Sequence, residues 1–344
     1  MIHYYPRQAV WELNLNCNLN CMHCGSRAGK KNENELTLNE CLDIAQQLID
    51  MNCKQITLIG GEIFLRKDWH KIARKFVDAD VYTNIITNAL NLQQKHFDAL
   101  AKSGIQQVGI SIDGMEDSHN KIRRHPKSFY HVLQTIQKLK SDQYSIGIVT
   151  TLNRLNINDL ENMYQLFVDH DIQVWQLQLT SPMGNAENHL YLLLSNEEIK
   201  QVIRFIKQKN KDKKMLLVAG DNIGYYTEDE MYIRGPKFHP QINNRFTGCK
   251  AGLFVVGIDN EGNVRGCESL MSEEFIEGNL RKNTLEEIWN KKDAFAYNRN
   301  FRKELLAGKC ADCDKSEVCK GGCRQLNCFT TGNKHESLFC CYAQ

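Results

Sequence analysis

The stretch CNLNCMHC sets Cys17, Cys21 and Cys24 in a C-x3-C-x2-C spacing, three thiols within eight residues. Thiolates select soft metal centres, so three in one loop suit zinc or an iron–sulfur cluster. A structural zinc site closes its tetrahedron with four protein ligands. Only His23 stands near, and in so tight a loop it does not easily turn inward beside Cys24. An iron–sulfur cluster held by three thiolates keeps one iron free for a small molecule. Of the fourteen cysteines, Cys41 and Cys53 stand apart and read as buried core, and nine lie between Cys249 and Cys341. None falls between 54 and 248. The start, MIHYYPRQAVWELNL, lacks the charged n-region and apolar h-region of a secretory signal. The thiols are therefore expected in a reducing, cytoplasmic setting, where metal ligation outranks disulfides.

The elements that must position these thiols alternate along the chain. β-rich runs occupy 9–15, 55–60, 81–87, 107–113, 145–152 and 173–179, and segments of helical period fall at 37–50, 68–77, 92–104, 129–141 and 157–170. The first helix opens on Thr37 with Glu40 three residues on, a capping-box pattern, followed by apolar Leu38, Leu42, Ala45 and Leu48. Repeated β-α units require parallel strands and right-handed crossovers, giving a barrel or an open doubly wound sheet. In either, chemistry collects beyond the carboxyl ends of the strands. The triad follows the first strand and GGEIF (60–64) the second. Asn88 follows the third, Ser111 and Asp113 the fourth, Thr150 and Asn153 the fifth, and the end of WQLQLT the sixth.

Composition excludes some partners. The 344 residues are 42% hydrophobic and 24% charged, and no run approaches the roughly 20 apolar residues of a membrane span. A net charge of +2 is too weak a field to recruit nucleic acid. The basic run KQKNKDKKM (207–215) reads as a solvated helix end.

The triad after the first strand, Gly60-Gly61-Glu62 after the second, SIDG (111–114) after the fourth and WQLQ at the sixth together resemble the radical S-adenosylmethionine (SAM) enzymes, over residues 9–185. The resemblance implies an α/β fold, a partial (β/α)6 TIM-like barrel. It implies that Cys17, Cys21 and Cys24 hold a [4Fe–4S] cluster whose open iron chelates SAM. Gly60 and Gly61 would let the backbone approach the ligand and Glu62 would accept from the SAM ammonium. Ser111, Asn88 and Leu177 would add SAM contacts, and Arg123, with Arg124 as competitor, would pair with the SAM carboxylate. Ile63 stands where the family commonly has proline.

The other end resembles the SPASM domain, which carries auxiliary iron–sulfur clusters. The residues are Cys249, GNVRGC ending at Cys267, Cys310, Cys313, Cys319 and Cys323 in C-x2-C-x5-C-x3-C, and a last cysteine at 340 or 341; IEGNLRKNTLEEIWN (276–290) matches the strand and helix between them. By the family pattern Cys310, Cys313, Cys319 and a late cysteine, for which Cys341 suits the interval, hold one auxiliary [4Fe–4S] cluster. Cys249, Cys267 and Cys323 hold another, whose fourth position is left to Cys328, another group or substrate, since QINNRFTG (241–248) has no cysteine. The resemblance implies that Glu268 occupies the place of a catalytic base, against the commoner reading of a glutamate as a surface residue.

The domains expected are a radical SAM barrel over 1–190, a bridging helix and loop over 191–244, and the cysteine-rich domain over 245–344. Part of that bridge, 220–240, is aromatic and irregular enough to line a substrate entrance. SPASM enzymes mostly modify peptides or proteins. The activity expected is hydrogen abstraction by a 5′-deoxyadenosyl radical leading to an oxidative crosslink in a ribosomally made peptide. Epimerisation with a cysteine hydrogen donor (Cys328 or Cys340), a sulfatase-type oxidation of Ser or Cys, and a non-catalytic iron–sulfur scaffold are the alternatives. A flavodoxin or ferredoxin would donate electrons. With the first strand near residue 9, no leader-binding module fits ahead of it, so a leader would dock elsewhere or on a separate protein.

Overall fold

The computed structural model describes residues 4–225, 227–234 and 246–342. Its strands are β1 (Gln8–Glu12), β2 (Gln55–Ile59), β3 (Tyr82–Thr87), β4 (Gln107–Ser111), β5 (Ser145–Leu152), β6 (Val174–Leu179), β7 (Leu216–Ala219), β8 (Val255–Ile258), β9 (Asn263–Arg265) and β10 (Gly278–Asn279). The six strands read from the sequence are β1 to β6. The helices between them are α1 (Leu38–Asp50), α2 (Trp69–Val77), α3 (Gln94–Ser103), α4 (Glu116–Arg123), α5 (Ser128–Ser141) and α6 (Leu160–Asp169), followed by α7 (Asn196–Asp212).

The chain divides into two compact units. The first comprises the chain up to Asn20, Ser26–Gly109 and Lys250–Asn300; the second comprises Cys21–Gly25, Ile110–Cys249 and the chain from Phe301. The boundary cuts through β4.

In the first unit the strand order is β10-β9-β8-β1-β2-β3. β1 pairs in parallel with both β2 and β8, β2 with β3, and β9 lies antiparallel to β8 and β10. The β8–β9 turn is built by Asp259, whose Oδ1 accepts from Glu261 N at 3.0 Å and Asn263 N at 2.9 Å, with Gly262 at φ +86°. Helix α1 starts on the Thr37–Glu40 capping box. Its buried stripe is Cys41, Ile44, Ala45 and Leu48; Leu42 lies beside it, so the apolar face is rotated from the one the sequence suggests. The α2 residues Trp69, Ile72, Ala73 and Phe76 complete the i, i+3, i+4, i+7 pattern of a core-facing helix.

In the second unit β5, β6 and β7 run parallel. β7 was not legible in the sequence: LLVA is four residues long and follows a lysine-rich helix end. Helix α7 opens on a Ser195–Glu198 capping box. Within its basic end, Lys209 departs from the solvated reading. It is buried, paired with Glu161 at 2.5 Å and seated 4.6 Å over the Tyr164 ring. Trp175 of β6 packs edge-on against Phe167 at 4.9 Å and Phe205 at 5.8 Å, and its indole N–H donates to Thr150 Oγ1 at 2.8 Å.

Candidate active site

Beyond the ends of β1, β2 and β3 one hydrogen-bond network joins the Gly-Gly-Glu loop to the first cysteine. Gly61 N donates to Asn14 O and Glu62 N to Asn16 O, both at 2.7 Å. A Cβ at Gly60 would collide with the Asn14 side chain, and one at Gly61 with the Asn16 carbonyl. Close packing against the residues after β1 is thus what requires both glycines. Glu62 is 2% exposed. Its Oε1 accepts from Thr87 Oγ1 at 2.7 Å and Phe64 N at 3.2 Å, and its Oε2 from Asn88 N at 2.8 Å. The carboxylate therefore fixes Asn88, whose Nδ2 lies 2.9 Å from Asn18 Oδ1 and 3.7 Å from Cys17 Sγ. Thr87, Asn14 and Asn18 were not singled out from the sequence; only their neighbours in the motifs were.

In the second unit the Cys21–Gly25 segment is held from two sides. Asn185 N donates to Cys24 O at 2.8 Å and its Nδ2 to Cys21 O at 2.9 Å. Gly184 sits at φ +59° where a Cβ would strike the Cys24 and Gly25 carbonyls. From the other side Asp113, wholly buried after β4, accepts on Oδ2 from Arg123 Nη2 at 2.6 Å, Arg123 Nε at 2.7 Å and His23 Nε2 at 2.9 Å. Its Oδ1 takes Thr151 N at 2.8 Å. Burial alone would raise the Asp113 pKa, but Arg123 and then His23 overcome it and hold the carboxylate well below its usual range. Burial, followed by the Arg123 charge, lowers neighbouring His119 to about 3. Arg123 is buried and paired rather than a helix-surface charge. Arg124 caps α4 in the left-handed conformation, with Nη2 2.8 Å from His189 Nε2. Ser111 is half-buried at the end of β4. Leu177 is wholly buried, its carbonyl taken by Gly220 N at 2.7 Å.

Four of the carboxy-terminal thiols come together. Cys310, Cys313, Cys319 and Cys340 line one cavity together with Tyr225 and Ser337. Burial pushes the Cys319 thiol up to about 12, reinforced by Cys340 and Cys310. Cys340, rather than the expected Cys341, lines this cavity. Side chains of adjacent residues diverge, and here Cys340 points inward. Cys341 is raised to about 11 by burial and then by Cys340, and it lies close to Gly224, Lys200 and Glu197. Cys323 is pushed up to about 12 by burial and then by Cys249; Cys267 is half-buried in the first unit. Among the described residues no three Cys, His, Asp or Glu side chains converge on a single metal ion. A cubane takes one thiolate per iron, and the four-thiol cavity has the donor set it needs.

Glu268 is half-buried next to Cys267. Burial raises its pKa, which sets it apart from a surface glutamate. It has a partner that the sequence reading missed: Glu12, the last residue of β1, is 4% exposed with an unbonded Oε1. Burial, followed by the Glu268 charge, pushes Glu12 up to about 8. A glutamate inside a β-rich run is the signal that could have found it.

Residues 11–167 match the radical SAM superfamily, and residues 249–314 match SPASM, an iron–sulfur cluster-binding domain. The chain thus combines a radical SAM domain with a SPASM domain, an enzyme class. Its parallel α/β fold is the TIM-like fold of that class, and its cofactors are a [4Fe–4S] cluster, SAM and auxiliary iron–sulfur clusters.

Among its relatives is an AdoMet-dependent heme synthase of Methanosarcina barkeri, 26% identical over 98% of this chain and 97% of that protein. The mycofactocin maturase MftC of Mycolicibacterium smegmatis is also 26% identical, over 94% of this chain and 80% of its own length. The fold matches Streptococcus suis SuiB bound to SAM, with a TM-score of 0.76 at 15% identity, covering 98% of this chain and 77% of that one. Among the described residues no helix is long and apolar enough to cross a membrane.

Proposed function

We propose that this enzyme carries out a net oxidation of a peptide or protein substrate, most simply a side-chain crosslink in a ribosomally made peptide. The observation that carries the reading is the cavity lined by Cys310, Cys313, Cys319 and Cys340. A four-thiol site with three of its cysteines buried suits an auxiliary cluster, which would supply one-electron chemistry for an oxidation. A redox-neutral epimerisation needs a thiol hydrogen donor instead; with Cys340 assigned to the cluster, Cys328 is the candidate left from the sequence.

When bound at Cys17, Cys21 and Cys24, the cluster and SAM supply a 5′-deoxyadenosyl radical that abstracts a substrate hydrogen. Gly60, Gly61 and Glu62 shape the SAM site, with Glu62 acting through Asn88. Arg123, aimed by Asp113, would pair with the SAM carboxylate, and Ser111 and Leu177 would add SAM contacts. Cys249, Cys267 and Cys323 hold the second auxiliary cluster. Glu268 accepts the substrate proton, with Glu12 beside it. A flavodoxin or ferredoxin supplies the reducing electron, in a cytoplasmic setting, and a leader-binding partner delivers the precursor. The domains follow 1–190, 191–244 and 245–344; residues 226 and 235–240 of the proposed entrance segment lie outside the described residues.

The MftC relative, named a maturase, supports the peptide reading. The heme synthase relative, matched along nearly its whole length, favours a second one in which the oxidised substrate is an iron porphyrin. Anaerobic incubation with SAM and reductant, offering a candidate precursor peptide or Fe-coproporphyrin in parallel, separates them. The peptide reading expects loss of two hydrogens from the peptide, read by mass. Turnover of the porphyrin alone overturns it, and deuterium uptake at an α-carbon without net mass loss makes the enzyme an epimerase.

A further inference from the structure

One side chain lies against both the four-thiol cavity and Cys323. Tyr225 is 1% exposed. Its ring lines the cavity of Cys310, Cys313, Cys319 and Cys340 and belongs to a buried cluster with Phe246, Cys319 and Cys340 against which Cys323 packs. The Tyr225 and Phe246 ring centroids are 4.6 Å apart. The phenol oxygen accepts from Cys323 N at 3.0 Å and donates to Asp221 O at 3.0 Å. Between Cys319 and Cys323 the chain passes under the ring through Gly322, at φ +83°, where a Cβ would lie 2.8 Å from Tyr225 Cε2. The ring thus sets the path of the four-residue step that links Cys319 to Cys323.

Resting on the cluster assignment above, we propose that Tyr225 is a positioning residue for both auxiliary clusters and tunes one of them. Its ring forms one wall of the four-thiol site. Its hydroxyl occupies the Cys323 N–H, which would otherwise be a donor for sulfur. Hydrogen bonds to cluster sulfur and exposure to solvent are the protein's main means of moving a cluster potential. The two parts of the side chain therefore act on different clusters, the hydroxyl on the Cys323 cluster and the ring on the Cys310–Cys340 cluster.

The test is an EPR-monitored redox titration of the reconstituted full chain, with iron counted on the same samples. Tyr225→Phe keeps the ring and removes only the hydroxyl. It is expected to retain wild-type iron and to move one auxiliary potential to more positive values while the other stays in place. Tyr225→Leu is expected to lose iron or EPR signal from the Cys310–Cys340 site and to keep the amino-terminal cluster. Unchanged potentials in Tyr225→Phe at full iron, or equal shifts of both, overturn the proposal, as does wild-type behaviour of Tyr225→Leu. Wild-type protein with iron for the amino-terminal cluster alone would overturn the cluster assignment itself, a failure visible before any variant is made.

Discussion

At the scale of single residues, the choice between Cys340 and Cys341 is the sharpest consequence of the geometry. Cys340→Ala is expected to lower bound iron by about four atoms per chain, one cubane's worth, and Cys341→Ala to leave it unchanged. Iron and sulfide analysis of the two purified variants decides the matter. Asp113 makes a different demand, because it neutralises the buried Arg123. Asp113→Ala strands that charge and should cost ~3–5 kcal/mol in a urea titration of the metal-free chain, most of it recovered in Asp113→Ala/Arg123→Met. Glu12 has a folded pKa of about 8, above its ordinary value of 4.5. Between those values the folded chain binds the extra proton, so this group's stabilisation is complete at low pH and is lost as pH rises through the window. Glu12→Gln should flatten the decline in metal-free stability between about pH 5 and 8.

At the scale of elements, the sequence was most legible where a local chemical rule fixes the structure. The Thr37–Glu40 box did start α1, and the triad and Gly60-Gly61-Glu62 follow β1 and β2 as the alternation required. What stayed hidden depends on partners distant in sequence. LLVA becomes β7 because β6 offers it an edge. Arg123 is buried because Asp113 waits ten residues away. The side of the chain on which Cys340 projects is set by packing with Tyr225 and Cys319, which no spacing rule contains. Helix α7 tests the local rule: Ser195→Ala removes the oxygen that accepts from Glu198 N and should cost ~1 kcal/mol in thermal unfolding.

At the scale of the whole molecule, the radical SAM match at residues 11–167 and the SPASM match at 249–314 define the class, while relatives named a heme synthase and a mycofactocin maturase share it. The common requirement, on the function proposed above, is a SAM-cleaving centre at Cys17, Cys21 and Cys24, upstream of any substrate choice. The most direct measurement is 5′-deoxyadenosine formation by the anaerobically reconstituted chain given SAM and dithionite. The account predicts its formation by the wild type and its loss in Cys21→Ala; absence of the nucleoside from the wild type, or equal yields from both proteins, would contradict it.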